Sequence, residues 1–259
     1  MENSYEKDWD TYAQLISVRK DAPEWEVLRK ARESHWREFF SVNENDKILD
    51  AGCGHGEYTV FALKANAKVW AFDYSKEMVK CTRAVVRKNS MKAEDISIDS
   101  VVAIPYENGF FDQVFCLAVL DHLDYDSRIK AINELNRVLK KGGKLILDVP
   151  NRLAFHWRFV FFIMRLFGLY PKGEIHFFTP FEVKKLLKEN GFNQTKSLGL
   201  TLIPPLSGIY TTDLRRITFL PEFIIKPLDK LYLMIEINFR RISFLKPVCW
   251  HYFVEATKI

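Results

Sequence analysis

The nine residues Ile48-Leu49-Asp50-Ala51-Gly52-Cys53-Gly54-His55-Gly56 constrain the fold more than any other stretch of the 259-residue chain. An apolar run ends in an acid and passes into glycines at alternate positions. Glycine has no Cβ, so the chain turns sharply there and its backbone can lie against a ligand. Tyr58, Phe61, Ala62 and Ala65 follow at helical spacing, so the loop opens onto a helix N-terminus, a ready site for a nucleotide or carboxylate. The next apolar run, Val69-Trp70-Ala71-Phe72, ends in Asp73, about 20 residues past the first glycine, where an acid that holds a ribose is expected. Strand, glycine loop, helix, strand and acid in this order predict an α/β fold with a parallel sheet.

The spacing discriminates between nucleotide-like ligands. A dinucleotide loop reads Gly-x-Gly-x-x-Gly, its third glycine letting helix and strand pack closely. Here the order is Gly52-x-Gly54-x-Gly56, with Glu57 where that third glycine would stand. Asp50 puts an anion ahead of the first glycine, where a pyrophosphate would otherwise approach. A ligand with a cationic amino group and a ribose suits the position better, which disfavours a nicotinamide dehydrogenase.

At these residues the chain resembles the class I S-adenosylmethionine-dependent methyltransferases, whose first motif is a strand followed by Asp/Glu-x-Gly-x-Gly-x-Gly. The resemblance continues through residue 150. Asp73-Tyr74-Ser75-Lys76-Glu77-Met78 is similar to the second nucleotide motif, with Ser75 as a helix cap and Met78 as a wall for the adenine. Asp99-Ser100-Val101-Val102-Ala103-Ile104-Pro105-Tyr106, then Phe110-Phe111-Asp112-Gln113-Val114, resembles the family's Asp-Ala-x-x-Leu-Pro-Phe and Phe-Asp-x-Val stretch. Ser100 falls at the position of the adenine-contacting acid and Asp99 one residue before it. A fourth strand, Gln113–Leu117, precedes Val119-Leu120-Asp121-His122-Leu123, which matches Val-Leu-Glu/Asp-His. An amphipathic helix (Ile129, Ile132, Leu135, Val138, Leu139) then stops at Lys140-Lys141-Gly142-Gly143, with basic residues and glycine as stop signals, before a fifth strand over 144–150.

The resemblance implies a Rossmann-like, doubly wound, seven-stranded sheet, mostly parallel with an antiparallel last strand slotted between strands five and six, plus a helical C-terminal insertion. It implies one domain over 1–259: lid helices over 1–40, a cofactor-binding core over 41–150, and cap segments over 151–175 and 203–247. The cofactor is S-adenosylmethionine. Its residues by this reading are Asp50, Gly52, Cys53, Gly54, Gly56, Asp73, Tyr74, Met78, Asp99, Ser100, Val101, Leu117, His122 and, from the lid, Tyr12.

The second half is less decoded. Thr179-Pro180-Phe181-Glu182 is a helix start with a Thr cap, Pro at the first helical position and Glu three residues after the cap. Gly191 ends that helix, a sixth strand runs over 192–202, and Trp250–Lys258 reads as the last strand. The run from His176 through Leu186, Leu187 and Gly191-Phe192 resembles the His-x-x-x-Thr-Pro-Glu…Leu-Leu…Gly-Phe pattern of small-molecule methyltransferases. Charge is uneven: residues 1–150 carry 22 Lys and Arg against 25 Asp and Glu, whereas residues 151–259 carry 16 against 8 and 14 of the 21 phenylalanines. The apolar run Leu153–Phe167 is broken by Arg158, Arg165 and His156 and, at about 15 residues, is short of the roughly 20 that cross a bilayer. Two readings of this basic, aromatic half stand: a helical cap over a small-molecule acceptor, or a cap that also rests on the inner face of an anionic membrane and admits a lipid-like acceptor.

The candidate general bases for an acceptor hydroxyl are His176, His122 and His156, histidine being suited to proton transfer near neutral pH. Cys53, Cys81, Cys116 and Cys249 are scattered without a Cys-x-x-Cys pair, which argues against zinc or a disulfide framework and suits a reducing cytoplasm. The polar, acidic N-terminus is unlike a signal peptide. The basic second half suggests a nucleic-acid (RNA) methyltransferase as an alternative, which is disfavoured because Cys116-Leu117-Ala118-Val119 stands where amino-methylating nucleic-acid enzymes carry Asn/Asp-Pro-Pro-Tyr/Phe. A non-catalytic adenosylmethionine-binding or partner-activating protein remains the other reading.

Overall fold

A computed structural model describes residues 36, 39–166, 175–200, 227, 231, 234 and 248–259. Within them the chain runs β1 (Lys47–Ala51), α1 (Glu57–Lys64), β2 (Lys68–Asp73), α2 (Lys76–Lys88), β3 (Asp95–Ile98) and β4 (Phe111–Leu117). A 3₁₀ turn (Leu120–His122) leads to α3 (Tyr125–Val138), β5 (Leu139–Pro150), α4 (Phe155–Leu166), α5 (Pro180–Glu189), β6 (Phe192–Leu200) and β7 (His251–Lys258).

The strands form one seven-stranded sheet in the order β3-β2-β1-β4-β5-β7-β6. β1 through β5 pair parallel, and β7 lies antiparallel between β5 and β6. This is the expected doubly wound architecture with its antiparallel last strand. The near-continuous apolar runs of β1, β2 and β4 are explained by burial on both faces. On one face Ile48, Val69, Phe115 and Ile146 pack with Trp36, Phe39, Phe40 and Ala62. On the other, Leu49, Val114, Leu145 and Leu147 meet Ile132 and Leu135 of α3 and Val183 and Leu187 of α5.

Capping sets where the helices start. The Ser75 hydroxyl accepts the Met78 N–H at 3.2 Å, and Asp124 Oδ1 accepts the Ser127 N–H at 2.8 Å. Thr179 and Glu182 form a reciprocal capping box with Pro180 at the first turn, as the sequence predicts. One boundary differs. The stop after α3 lies at Val138, but Lys140–Gly143 is not a connecting loop; it is a bulge inside β5. Leu139 already pairs with Phe111, whereas Lys144 pairs with Gln113, so the extra residues curl out of register. Gly143 is required there, since a Cβ would lie 2.8 Å from the Lys140 carbonyl and 3.0 Å from that of Asp112. The expected cap over 203–247 and the lid over 1–40 lie outside the described residues, apart from positions 36, 39, 40, 227, 231 and 234. No helix among the described residues is long and apolar enough to cross a membrane.

Candidate active site

β1 has β2 on one side and β4 on the other, so the chain order reverses across it. At such a switch point the loops leaving neighbouring strands diverge and open a crevice at the carboxyl ends of the sheet. The glycine loop leaves β1 into this crevice. The N–H groups of Gly52 and Cys53 both donate to the Phe72 carbonyl at 2.9 Å, binding the loop to the end of β2. Gly52 has φ 84°, and a Cβ there would stand 2.3 Å from Cγ2 of Val119, in the segment after β4. Gly54, at φ 52°, has the opposite surroundings: a Cβ would meet nothing within 4 Å, so the space over the loop is open.

Two acids shape this loop. Asp73 Oδ2 accepts the Gly54 N–H at 2.8 Å and Oδ1 accepts the Ser75 N–H at 2.9 Å, so one carboxylate ties the loop to the start of α2. Asp50 is withdrawn beneath the loop, 1% exposed, with Oδ2 accepting the Thr59 hydroxyl at 2.5 Å. Burial pushes its carboxyl up to about 7, against the opposing Thr59 hydrogen bond and with the help of the Asp73 charge. The same burial and the two acids raise the Cys53 thiol well above its usual range, so it stays protonated. Thr82 of α2 donates to the Gly54 carbonyl at 2.8 Å and closes the loop from behind.

The remaining residues singled out for the cofactor line the same end of the sheet in different degrees. Tyr74 is 40% exposed beside Asp73, whereas Met78 is buried in the first turn of α2. Asp99 donates its N–H to the Asp73 carbonyl at 3.2 Å and accepts from the Ser97 hydroxyl. Ser100 bridges to Ala103, Val101 enters the core, and Leu117 ends β4. Tyr12 lies outside the described residues.

Two of the three candidate bases converge on Asp121. His122 Nε2 is 3.2 Å from Asp121 Oδ2, and the His176 N–H donates to the Asp121 carbonyl at 2.8 Å. The His176 ring stands edge-on to Phe178, 4.6 Å between centroids. Burial first, then the charges of Arg128 and Arg152, hold His176 below the usual histidine range, with Glu182 opposing, so the neutral imidazole is favoured. His156 sits on α4 beside the exposed Phe155.

One pairing has no local signature in the sequence. Asp148 and His251 are 103 residues apart, yet His251 Nδ1 lies 3.1 and 2.9 Å from the two carboxylate oxygens of Asp148. The register explains it: Asp148 faces Phe253 and Pro150 faces His251, so the two are diagonal neighbours on one face of the β5–β7 pair. The available signal was the alternation of Asp148-x-Pro150 and His251-x-Phe253, which yields a contact only once the strand register is known. Among the described residues no three His, Cys, Asp or Glu side chains gather as metal ligands.

Residues 49–147 match a family model described as "Methyltransferase domain". The chain is similar to the ubiquinone biosynthesis O-methyltransferase of Xanthomonas euvesicatoria pv. vesicatoria, 30% identical over 168 residues, which cover 61% of this chain and 67% of that protein. It is also similar to the demethylmenaquinone methyltransferase of Bacillus mycoides, 28% identical over 156 residues, 55% of this chain and 65% of that protein. Of other curated relatives it spans less than half the length, 44% in one case and 25% in another. Among solved structures, geranyl diphosphate C-methyltransferase from Streptomyces coelicolor, in complex with S-adenosyl-L-homocysteine, has the same fold at TM-score 0.58. That match covers 89% of this chain and 76% of that one at 15% identity.

Proposed function

Since the chain belongs to the class I S-adenosylmethionine-dependent methyltransferase family, we propose that it transfers the cofactor's methyl group to an O, N or C atom of a small-molecule or lipid-like acceptor. The observation that carries this is the open space over Gly54, at the switch point, with Asp73 anchored to the Gly54 N–H. A backbone cradle with nothing where a Cβ would stand, flanked by acids at the ends of β1 and β2, fits a ribose bearing a cationic amino-acid arm. When bound, the cofactor supplies a methyl carbon already made electrophilic by a sulfonium centre.

The roles of this chain's residues follow. Gly52, Cys53, Gly54 and Gly56 let the backbone approach the cofactor. Asp73, whose carboxylate accepts the Gly54 and Ser75 N–H groups, takes the ribose hydroxyls. Asp50 lies beneath the loop, where a cationic amino group would favour its ionised form against burial, and Tyr74, Met78, Asp99, Ser100, Val101, Leu117 and His122 border the rest. By the resemblance, Tyr12, which lies outside the described residues, completes the cofactor set. Among the histidines singled out by the sequence, His176 is the candidate proton acceptor, since it is held toward its neutral form, with His122 and His156 as its alternatives. Positioning and desolvation supply most of the rate, so the protein needs little covalent chemistry.

Similarity to a ubiquinone biosynthesis O-methyltransferase supports a small-molecule acceptor. The lipid-facing extension of the reading rests on α4, where Phe155, Phe159 and Phe162 are 71%, 66% and 62% exposed in a basic half of the chain. The test is incubation of the protein with deuterated-methyl S-adenosylmethionine and a cell extract, followed by mass spectrometry of metabolites and lipids. A labelled product is expected. Tight cofactor binding with no labelled product would instead favour the non-catalytic reading.

A further inference from the structure

We propose that His251 is a catalytic residue, the base that takes the proton from an acceptor hydroxyl carried on an aromatic ring, and that Asp148 is its positioning residue. This rests on the methyltransferase reading above and names the acceptor class for the same site.

The geometry is that of an oriented imidazole. The Asp148 side chain is 5% exposed and spends both oxygens on one nitrogen, Nδ1 of His251. An ionised carboxylate only accepts, so Nδ1 carries the proton and the neutral ring keeps its lone pair on Nε2. Nε2 has no hydrogen-bond partner among the described residues, and the ring is 22% exposed. The pair stands at the carboxyl end of β5, beside β4: Asp148 is in register with Leu117, and its carbonyl accepts the Ala118 N–H at 3.0 Å. His251 therefore lies two strands from β4, at the same end of the sheet as the glycine loop.

Aromatic rings gather at the same sheet end. Trp250 lies tilted against Trp157 of α4 at 5.2 Å between centroids and meets Phe177 edge-on at 5.5 Å, and its ring centroid is 6.3 Å from that of His251. Asn151 fixes this corner, donating its N–H to the Trp250 carbonyl at 2.8 Å and its side-chain amide to that of Cys249 at 3.0 Å. Aromatic walls favour a flat apolar ring, and a base presenting one lone pair favours an acceptor whose nucleophilic atom must lose a proton.

The step balances. The acceptor oxygen forms its bond to the methyl carbon while the carbon–sulfur bond breaks, its electron pair staying on sulfur as the neutral thioether. The hydroxyl proton passes to Nε2, giving an imidazolium that faces the Asp148 carboxylate, and leaves to solvent after product release.

The experiment uses the full chain with catechol as acceptor probe. S-adenosylhomocysteine affinity is measured by calorimetry on every variant, and ¹⁵N-histidine NMR reads the tautomer. Catechol is expected to be methylated, and His251→Gln is expected to lower kcat about 100-fold, with S-adenosylhomocysteine affinity within twofold of the parent. Asp148→Asn is expected to lower kcat about tenfold at unchanged KM and to shift the His251 nitrogen signals away from the Nδ1–H tautomer, which a purely structural role would not do. Catechol left unmethylated by a protein that binds S-adenosylhomocysteine would overturn this inference and leave the methyltransferase reading standing. So would full activity in His251→Gln, or an Nε2–H tautomer in the parent. Failure of the parent protein to bind S-adenosylhomocysteine at all would overturn the underlying reading.

Discussion

At the scale of single residues, the glycine loop separates two requirements that the sequence presents as one. Gly52 is needed by the fold: a Cβ at 2.3 Å from Val119 on a backbone at φ 84° combines overpacking with strain. Gly52→Ala is expected to lose about 2–4 kcal/mol of stability, read by urea unfolding. Gly54 is needed by the ligand: at φ 52° in open space, Gly54→Ala pays only the left-handed backbone term, about 1–2 kcal/mol, while losing S-adenosylhomocysteine binding in calorimetry. Equal stability losses in the two variants would contradict this division. Asp50 adds a pH dependence. Its folded pKa of about 7 lies above the unfolded value of 3.8, so between the two the folded state holds a proton that the unfolded state has released. Stability should fall as pH rises from about 4 to 7 and level off above it, by at most about 4 kcal/mol. Asp50→Asn should flatten that slope, and an unchanged slope in urea melts across this range would remove the assignment. None of this burial is visible in the motif, which places Asp50 at a strand end but leaves open how far the Thr59 hydroxyl and α1 cover it.

At the scale of elements, what the sequence shows depends on how local the cause is. Helix starts at Ser75 and Thr179 are legible because cap and capped N–H are three residues apart. Thr179→Ala should therefore cost about 1 kcal/mol, within a range of about 0.5–2. Since α5 follows directly on the segment that docks His176 on Asp121, the same variant should speed amide exchange over 176–183; unchanged exchange there would show the segment to be held independently of the cap. The bulge at Lys140–Gly143 is legible in the sequence only as a helix stop, because two glycines after two lysines carry the same signal whether a loop or a bulge follows. Only the pairing of Leu139 with Phe111 and Lys144 with Gln113 distinguishes them. The Asp148–His251 pair is the extreme case: nothing within ten residues of either side chain announces the other, and β7 must first be threaded between β5 and β6 for the diagonal contact to exist.

At the scale of the whole molecule, the two halves of the chain contrast in charge and in aromatic content. Residues 1–150 carry a small excess of acids and hold the cofactor loop, while residues 151–259 carry 16 Lys and Arg against 8 Asp and Glu. The described part of that second half presents Phe155, Phe159 and Phe162 at helical spacing i, i+4 and i+7 on α4, with the exposed Arg158 between them. Burying three such rings in an interfacial layer is worth up to about 2 kcal/mol each, and each basic residue near an anionic surface about 1 kcal/mol more. The two contributions respond differently to salt, since charges are screened over about 8 Å at 0.15 M while ring burial is not. The protein is therefore expected to co-sediment with vesicles containing phosphatidylserine at low salt, to bind less at 0.5 M NaCl, and to bind little to neutral vesicles. Replacing Phe159 and Phe162 together by Ser should weaken binding by at least tenfold while leaving S-adenosylhomocysteine affinity unchanged, because α4 lies outside the glycine loop and its acids. Absence of any binding to the anionic vesicles at low salt would leave the aromatic, basic half as a cap over a freely diffusing acceptor. Binding that survives the double replacement would place the contact elsewhere in that half.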